Sequence, residues 1–140
     1  MKQIPVIFWT GTGNTQMMAD VIAAAINAAG AEAVVKNVSE ITADEAAGYD
    51  ALALGCPAMG AEVLEECEFE PFFSELEGKL AGKKVALFGS YGWGGSYMQD
   101  WEARVKDAGA ELVADGVLAL GAPDDEAMAK LAEAGKLLAE

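Results

Sequence analysis

Short apolar runs alternate with segments of helical periodicity along the whole chain. Runs typical of buried strands lie at residues 4–9, 33–38, 51–55, 84–89 and 111–120, and the third is apolar at every position. Apolar residues recur at helical spacing over residues 14–29, 71–76 and 96–108, and again after Pro123. A shorter helix or turn is expected around residues 43–46. The pair Asp115 and Gly116 interrupts the last apolar run, and we expect a break in the strand there.

This alternation of strand and helix predicts an α/β fold. One domain spanning residues 1–140 would form a doubly wound parallel sheet with helices on both faces. Such a sheet binds its ligands at the carboxyl ends of its strands. Because the loops after the first, third and fourth strands all contain glycine, we expect three permissive loops along one edge of the sheet.

The first of these loops has the composition of a phosphate site that uses no cation. It reads Thr10-Gly11-Thr12-Gly13-Asn14-Thr15, directly between a strand and a helix, and contains no Lys or Arg. Unpaired N–H groups at the helix N-terminus, together with hydroxyl and amide side chains, are suited to bind a phosphate monoester. The spacings G-x-x-x-x-G-K-[ST] and G-x-G-x-x-G are both absent. The alternative is a turn in which Asn14 or Thr15 merely caps the helix.

The other two loops carry large side chains that a surface loop cannot bury completely. Met59 lies in the loop after the third strand, and Tyr91 and Trp93 lie among glycines in the loop after the fourth. A planar ring between Met59 and Trp93 would account for both residues. For each residue alone, the alternative is a structural role: Met59 fills a gap in the core, and Trp93 folds back onto its own loop. With the phosphate loop, they describe the shape of a flavin mononucleotide (FMN) site.

Composition narrows the classes of partner. The net charge is −14, from 23 acidic and 9 basic residues, which argues against nucleic acid and anionic membranes and favours a basic partner. The two cysteines lack C-x-x-C spacing and the chain has no histidine, so zinc, haem and iron–sulfur sites have too few ligands. No apolar run reaches the length of a membrane helix, and the first residues lack a signal-peptide pattern, so we expect a cytoplasmic protein.

The three loops together resemble those of the short-chain, clostridial type of flavodoxin. The resemblance is carried by residues 10–15 and their preceding strand, Gly55-Cys56-Pro57-Ala58-Met59-Gly60, Glu68-Phe69-Glu70-Pro71-Phe72 and Gly89-Ser90-Tyr91-Gly92-Trp93-Gly94. It implies a flavodoxin-like five-stranded sheet of order 2-1-3-4-5 and one non-covalently bound FMN. It also implies an electron carrier that moves one electron at a time, rather than an enzyme.

The same resemblance implies a role for individual residues. Met59 would cover the inner face of the flavin ring and Trp93 the outer face, and Glu62 would accept a hydrogen bond from the ring N3–H. The Gly60–Ala61 peptide would flip on one-electron reduction and so stabilise the semiquinone. The expected cofactor-binding residues are Thr10, Gly11, Thr12, Gly13, Asn14 and Thr15 for the phosphate with Ser90 nearby, and Ala58, Met59, Gly60, Ala61, Glu62, Tyr91, Gly92, Trp93 and Gly94 around the ring. Pro57 stands where a serine can contact the phosphate, and it has no hydroxyl.

Acidic residues in and just after the loop that follows the third strand affect two expected properties, the redox potential of the flavin and the choice of partner proteins. They are Glu62, Glu65, Glu66, Glu68 and Glu70. Their charges oppose the negative charge of reduced FMN, which predicts a low potential, and they form a plausible docking surface for basic redox partners of a monomeric carrier. The alternative is a solvated acidic face without a specific partner.

Three other functions fit the predicted fold. A phosphoacceptor receiver needs acidic residues where this chain has Thr10-Gly11 and Gly55-Cys56. An FMN-dependent oxidoreductase of the quinone reductase type would need a substrate pocket and an acid–base residue, and no candidate for the latter stands out near the loops. The third is a scaffold that no longer binds flavin.

Overall fold

Six strands form one parallel sheet in the computed structural model, which describes residues 2–9, 13–57, 68–91, 96–120 and 123–140. The strands are β1 (Gln3–Phe8), β2 (Glu32–Asn37), β3 (Ala51–Gly55), β4 (Lys84–Tyr91), β5 (Glu111–Leu112) and β6 (Val117–Leu120). Their order is β2-β1-β3-β4, and β5 and β6 both pair with β4. The predicted order 2-1-3-4-5 is therefore confirmed, with the fifth strand split into two short pieces.

The described residues contain five α-helices, four between strands and one after the last strand, at the places that the periodicity predicts. They are α1 (Asn14–Ala28), α2 (Ala43–Ala46), α3 (Phe69–Glu77), α4 (Ser96–Asp107) and α5 (Asp125–Ala139). Helix α3 begins two residues before Pro71, which still lies in its first turn. A 3₁₀ helix at Val38–Glu40, capped by the Asn37 side chain, was not expected from the pattern. Among the described residues, no helix combines the length and apolar character needed to cross a membrane.

Each face of the sheet packs against its own pair of longer helices. Along β1, the side chains of Ile4, Val6 and Phe8 join a cluster with α1 and α5. Ile7 lies on the opposite face and joins a cluster with α3 and α4. Because helices cover both faces, all five residues of β3 are buried, as its continuous apolar sequence predicts.

The fifth strand is split because it carries extra residues. Leu112 pairs with Val85 and Val117 pairs with Phe88, so residues 113–116 lie opposite only two residues of β4. Within this segment the Gly116 N–H donates to the Glu102 Oε2 atom of α4 at 2.7 Å. The predicted break at Asp115 and Gly116 is confirmed.

The carboxyl ends of β1, β3 and β4 meet at one edge of the sheet. Phe8 pairs with Gly55, and Gly55 pairs with Phe88. The next residues continue the pattern, because the Trp9 N–H donates to the Gly55 carbonyl at 3.0 Å and the Cys56 N–H to the Phe88 carbonyl at 3.1 Å. The chain thus leaves three neighbouring strands at this edge, as the sequence predicts for the three glycine-containing loops.

Candidate functional site

Helix α1 begins at this carboxyl edge of the sheet with a glycine N-cap. Gly13 has φ of +92°, in the left-handed region that favours glycine, and its carbonyl accepts from the Met17 N–H at 3.0 Å. The first turn of α1 contains no acidic residue. The positive end of the helix dipole is therefore not offset by a carboxylate within its own first turn, which favours an anion at this terminus.

Two buried hydroxyls lie beside this helix terminus. Thr15, the second residue of α1, is 1% exposed, and Ser90, near the end of β4, is 6% exposed. Their Oγ atoms are 3.3 Å apart, and either can be the donor. Each hydroxyl has one hydrogen, so the hydroxyl that accepts within the pair keeps its own hydrogen for a further acceptor. A buried donor with a hydrogen to give at a helix N-terminus fits a phosphate oxygen.

The structure brings the predicted phosphate residues from two distant segments together. It places Gly13, Asn14 and Thr15 at the start of α1 and Ser90 next to Thr15, and it places the backbone of Tyr91 at the end of β4. The remaining predicted residues lie outside the described part of the chain: Thr10, Gly11, Thr12, Ala58, Met59, Gly60, Ala61, Glu62, Gly92, Trp93 and Gly94. In the described ranges, no group of three acidic, Cys or His side chains could hold a metal ion.

A hydrogen bond between Trp9 and Glu68 joins the flanks of two of these loops. The Trp9 indole Nε1 donates to the Glu68 Oε1 atom at 3.2 Å. Trp9 ends the first strand region just before residue 10, and Glu68 directly follows residues 58–67. Sequence reasoning missed this link, because nothing in the pattern pairs two side chains that are 59 positions apart.

Two acidic residues of α3, Glu70 and Glu77, share one basic partner, Arg104 of α4. The Arg104 guanidinium donates to both Glu70 carboxylate oxygens, at 2.7 and 2.9 Å, and to both Glu77 oxygens, at 3.1 and 3.0 Å. It also lies 4.7 Å from the centre of the Phe73 ring. The hydrogen bonds from Arg104 lower the pKa of Glu70, while Glu70 and then Glu77 raise the pKa of Arg104.

This pairing changes the expected role of Glu70. Because one guanidinium is shared by two carboxylates, Glu70, Arg104 and Glu77 together carry one net negative charge. Of the five acidic residues expected to lower the potential, Glu68 and Glu70 are described, and Arg104 offsets only part of the charge of the Glu70–Glu77 pair. Glu62, Glu65 and Glu66 lie outside the described residues.

Comparison with known proteins gives a consistent result. The flavodoxin family model matches residues 6–135. The flavodoxin of Clostridium beijerinckii is 48% identical over 135 residues, covering 96% of this chain and 97% of that protein. The flavodoxin of Megasphaera elsdenii is 47% identical over 116 residues, covering 82% and 85%. The solution structure of two-electron reduced Megasphaera elsdenii flavodoxin superposes with a TM-score of 0.90 at 43% identity, covering 97% of this chain and 98% of that one. This chain belongs to the flavodoxin family.

Proposed function

We propose that this protein carries one electron at a time, at low potential, on its FMN, and that it does so as a single-domain monomer in the cytoplasm. Flavodoxins are FMN-binding electron carriers, and as a member of the family this protein is an electron carrier and not an enzyme. The observation that carries the assignment of the site is the buried Thr15–Ser90 pair at the N-terminus of α1.

The FMN phosphate is assigned to residues 10–15 and Ser90. The first turn of α1 supplies backbone N–H groups, and the Thr15–Ser90 pair supplies a hydroxyl hydrogen. Burial strengthens such a hydrogen bond to an anion, because the surrounding dielectric is low. The absence of Lys and Arg from residues 10–15 leaves dipoles and hydroxyls to balance the phosphate charge.

The flavin ring is assigned to the segments that follow β3 and β4. Bound FMN supplies a ring that accepts and donates electrons, and the chain orients it. The assigned residues are Ala58, Met59, Gly60, Ala61 and Glu62, and Tyr91, Gly92, Trp93 and Gly94. Support comes from the strand register, which brings the ends of β3 and β4 side by side at the edge where Thr15 and Ser90 lie. A reorientation of the Gly60–Ala61 peptide is the proposed response of the chain to the first electron.

Replacing Thr15 tests the phosphate assignment directly. Thr15→Val keeps the shape of the side chain and removes its hydroxyl. We expect FMN binding by the apoprotein to weaken about 10- to 100-fold, because a hydrogen bond to a charged group contributes about 1.5–3 kcal/mol. Flavin fluorescence quenching during titration measures the dissociation constant.

Riboflavin, which has the same ring and no phosphate, is the matched control ligand. Its dissociation constant should be unchanged by Thr15→Val within about twofold, a small free-energy difference. An equal loss of affinity for FMN and riboflavin would show that the variant perturbs the ring site, and the phosphate assignment would be wrong. A wild-type apoprotein that binds no FMN would overturn the proposed site as a whole.

The charge of −14 supports basic redox partners that dock at the acidic cofactor edge. Electron transfer to a basic acceptor protein should slow as ionic strength rises, since salt screens charges that are farther apart than about 10 Å at 0.1 M. A rate independent of salt contradicts electrostatic docking. Sedimentation equilibrium measures the molar mass in solution and so tests whether the protein is a monomer.

A further inference from the structure

The Tyr97 side chain connects the first turn of α4 with the end of β3. Its hydroxyl donates to the Cys56 carbonyl oxygen at 2.8 Å, and both residues are buried, at 2% and 0% exposure. The Tyr97 ring is stacked on Trp101, with 6.5 Å between ring centres and 26° between planes. Burial raises the pKa of Tyr97 far above its usual range, with a further contribution from Cys56, so the hydroxyl stays a donor.

Gly89 of β4 leaves the space in which this hydrogen bond forms. A Cβ atom at position 89 would overlap both the Cys56 carbonyl oxygen and the Tyr97 hydroxyl. Residue 89 therefore has to be glycine for Tyr97 to reach across β4. The bond thus depends on three segments: the end of β3, the middle of β4 and the start of α4.

The hydrogen bond acts at the point where the chain leaves β3. The register between β3 and β4 ends at Gly55 and Phe88, and Pro57 follows two residues later. The proline ring fixes its own φ and disfavours the helical region for Cys56. The Tyr97 hydroxyl holds the carbonyl of the same Cys56–Pro57 peptide. The ring and the hydrogen bond together constrain the Cys56–Pro57 peptide, the last peptide before residue 58.

We propose that Tyr97 is a positioning residue for the cofactor site, acting through the Cys56 carbonyl. This inference rests on the proposed function, in which the residues after Pro57 contact the flavin ring and one of their peptides responds to the first electron. Tyr97 also follows residues 92–95 closely, so its hydrogen bond links the flanks of the two segments assigned to opposite faces of the ring.

The variant Tyr97→Phe isolates the hydrogen bond. It keeps the ring that stacks on Trp101 and removes the hydroxyl alone. Tyr49→Phe is the matched control, because it removes a phenol hydroxyl from a half-buried residue at the opposite, amino end of β3. Far-UV circular dichroism and urea unfolding establish that both variants fold.

Removal of the hydroxyl should weaken the binding of oxidised FMN and of one-electron-reduced FMN by different factors. We expect the dissociation constant of oxidised FMN to rise about twofold to fivefold, as expected for one net hydrogen bond. The affinity for the one-electron-reduced cofactor should fall about threefold more. The contact that we propose for the Gly60–Ala61 peptide on reduction depends on where the segment after Pro57 begins. By linkage, the potential of the first couple should become about 30 mV more negative, at 59 mV per tenfold for one electron. Spectroelectrochemical titration measures this shift, and Tyr49→Phe should show none.

A second readout needs no cofactor. In the apoprotein, amide hydrogen exchange at residues 58–66 should be about threefold or more faster in Tyr97→Phe than in Tyr49→Phe, with exchange in β1 and β3 unchanged. Unaltered exchange and an unaltered potential would overturn the role of Tyr97 and leave the proposed function intact. An equal loss of affinity for both redox states, with no change in potential, would also overturn it, since that is the effect of a purely structural contact. If wild-type apoprotein fails to bind FMN, the proposed function fails, and the exchange experiment still decides whether Tyr97 holds this segment.

Discussion

At Glu70, one carboxylate accepts hydrogen bonds from two elements. Arg104 of α4 donates to both of its oxygens, and Ser74 of α3, the helix that carries Glu70, donates to Oε2 at 2.6 Å. Arg104 lowers the pKa of Glu70 below its ordinary value of 4.5, with Ser74 adding to the effect and burial opposing it. A carboxyl group whose folded-state pKa is lowered stabilises the fold above its unfolded-state pKa, and this stabilisation is lost as pH falls through the folded-state pKa.

Glu70→Gln should therefore lower the free energy of unfolding at neutral pH. The wild-type protein should also lose stability more steeply than the variant as the pH falls below about 4.5. Urea unfolding at a series of pH values from about 7 to 3 measures both effects. Glu75→Gln is the control, because Glu75 is an exposed carboxylate on the same helix. Parallel stability curves for wild type and Glu70→Gln would show that the ion pair makes no pH-dependent contribution.

At the residue scale, the composition of residues 10–15 predicted a phosphate site, and the resemblance to flavodoxins implied that Ser90 lies nearby. The structure places the Thr15 and Ser90 Oγ atoms 3.3 Å apart. The bonds from Trp9 to Glu68 and from Tyr97 to Cys56 could not be predicted. Both depend on side-chain directions that are fixed only once the strand register and the helix packing are known.

Helices α1 and α5 pack closely at one small residue. A Cβ atom at Gly135 of α5 would lie 2.8 Å from the Ile22 carbonyl oxygen and 2.9 Å from the Ala25 Cβ atom of α1. Helix propensity alone predicts that Gly→Ala stabilises a helix by about 1 kcal/mol. Here the backbone of the neighbouring helix occupies the space, so the packing cost should exceed that gain.

Gly135→Ala should therefore reduce the free energy of unfolding by up to about 2 kcal/mol net, since overpacking costs about 1–3 kcal/mol and the gain in helix propensity returns about 1 kcal/mol. Equilibrium urea unfolding gives the value. Ala132→Gly is the control, because it changes helix propensity on the exposed face of α5 without involving the contact with α1. It should lower the free energy of unfolding by about 1 kcal/mol. A Gly135→Ala variant more stable than wild type would mean that α5 can move away from α1 at little cost.

Helix and strand boundaries follow from local signals to within a few residues. Asp124 caps α5 through the Ala127 N–H at 2.8 Å, and Thr42 caps α2, both as expected from residues that favour N-caps. The break in the fifth strand was visible as Asp115 and Gly116, but the partner of the Gly116 N–H was not. That partner, the Glu102 carboxylate, lies 14 positions earlier, on α4.

On the scale of the whole molecule, one sheet organises both the core and the site. Its two faces bury separate apolar clusters, one with α1 and α5 and one with α3 and α4. Alternating residues of β1 belong to different clusters, so neither can form without the strand that they share. The same strand order brings the ends of β1, β3 and β4 to one edge of the sheet, where Thr15 and Ser90 lie. The alternation of elements was sufficient to predict a doubly wound parallel sheet, because parallel sheets allow few topologies, whereas the strand order was implied by the resemblance to flavodoxins.

The shared sheet leads us to expect a single cooperative unfolding transition, as for one domain of 140 residues. Far-UV circular dichroism follows all helices, whereas tryptophan fluorescence includes Trp101, which is buried against α3. The two probes should give the same urea midpoint and slope in the apoprotein, and added FMN should move both midpoints upward together by mass action. If the fluorescence change preceded the loss of helix, the cluster with α3 and α4 would unfold independently, and the chain would not behave as a single folding unit.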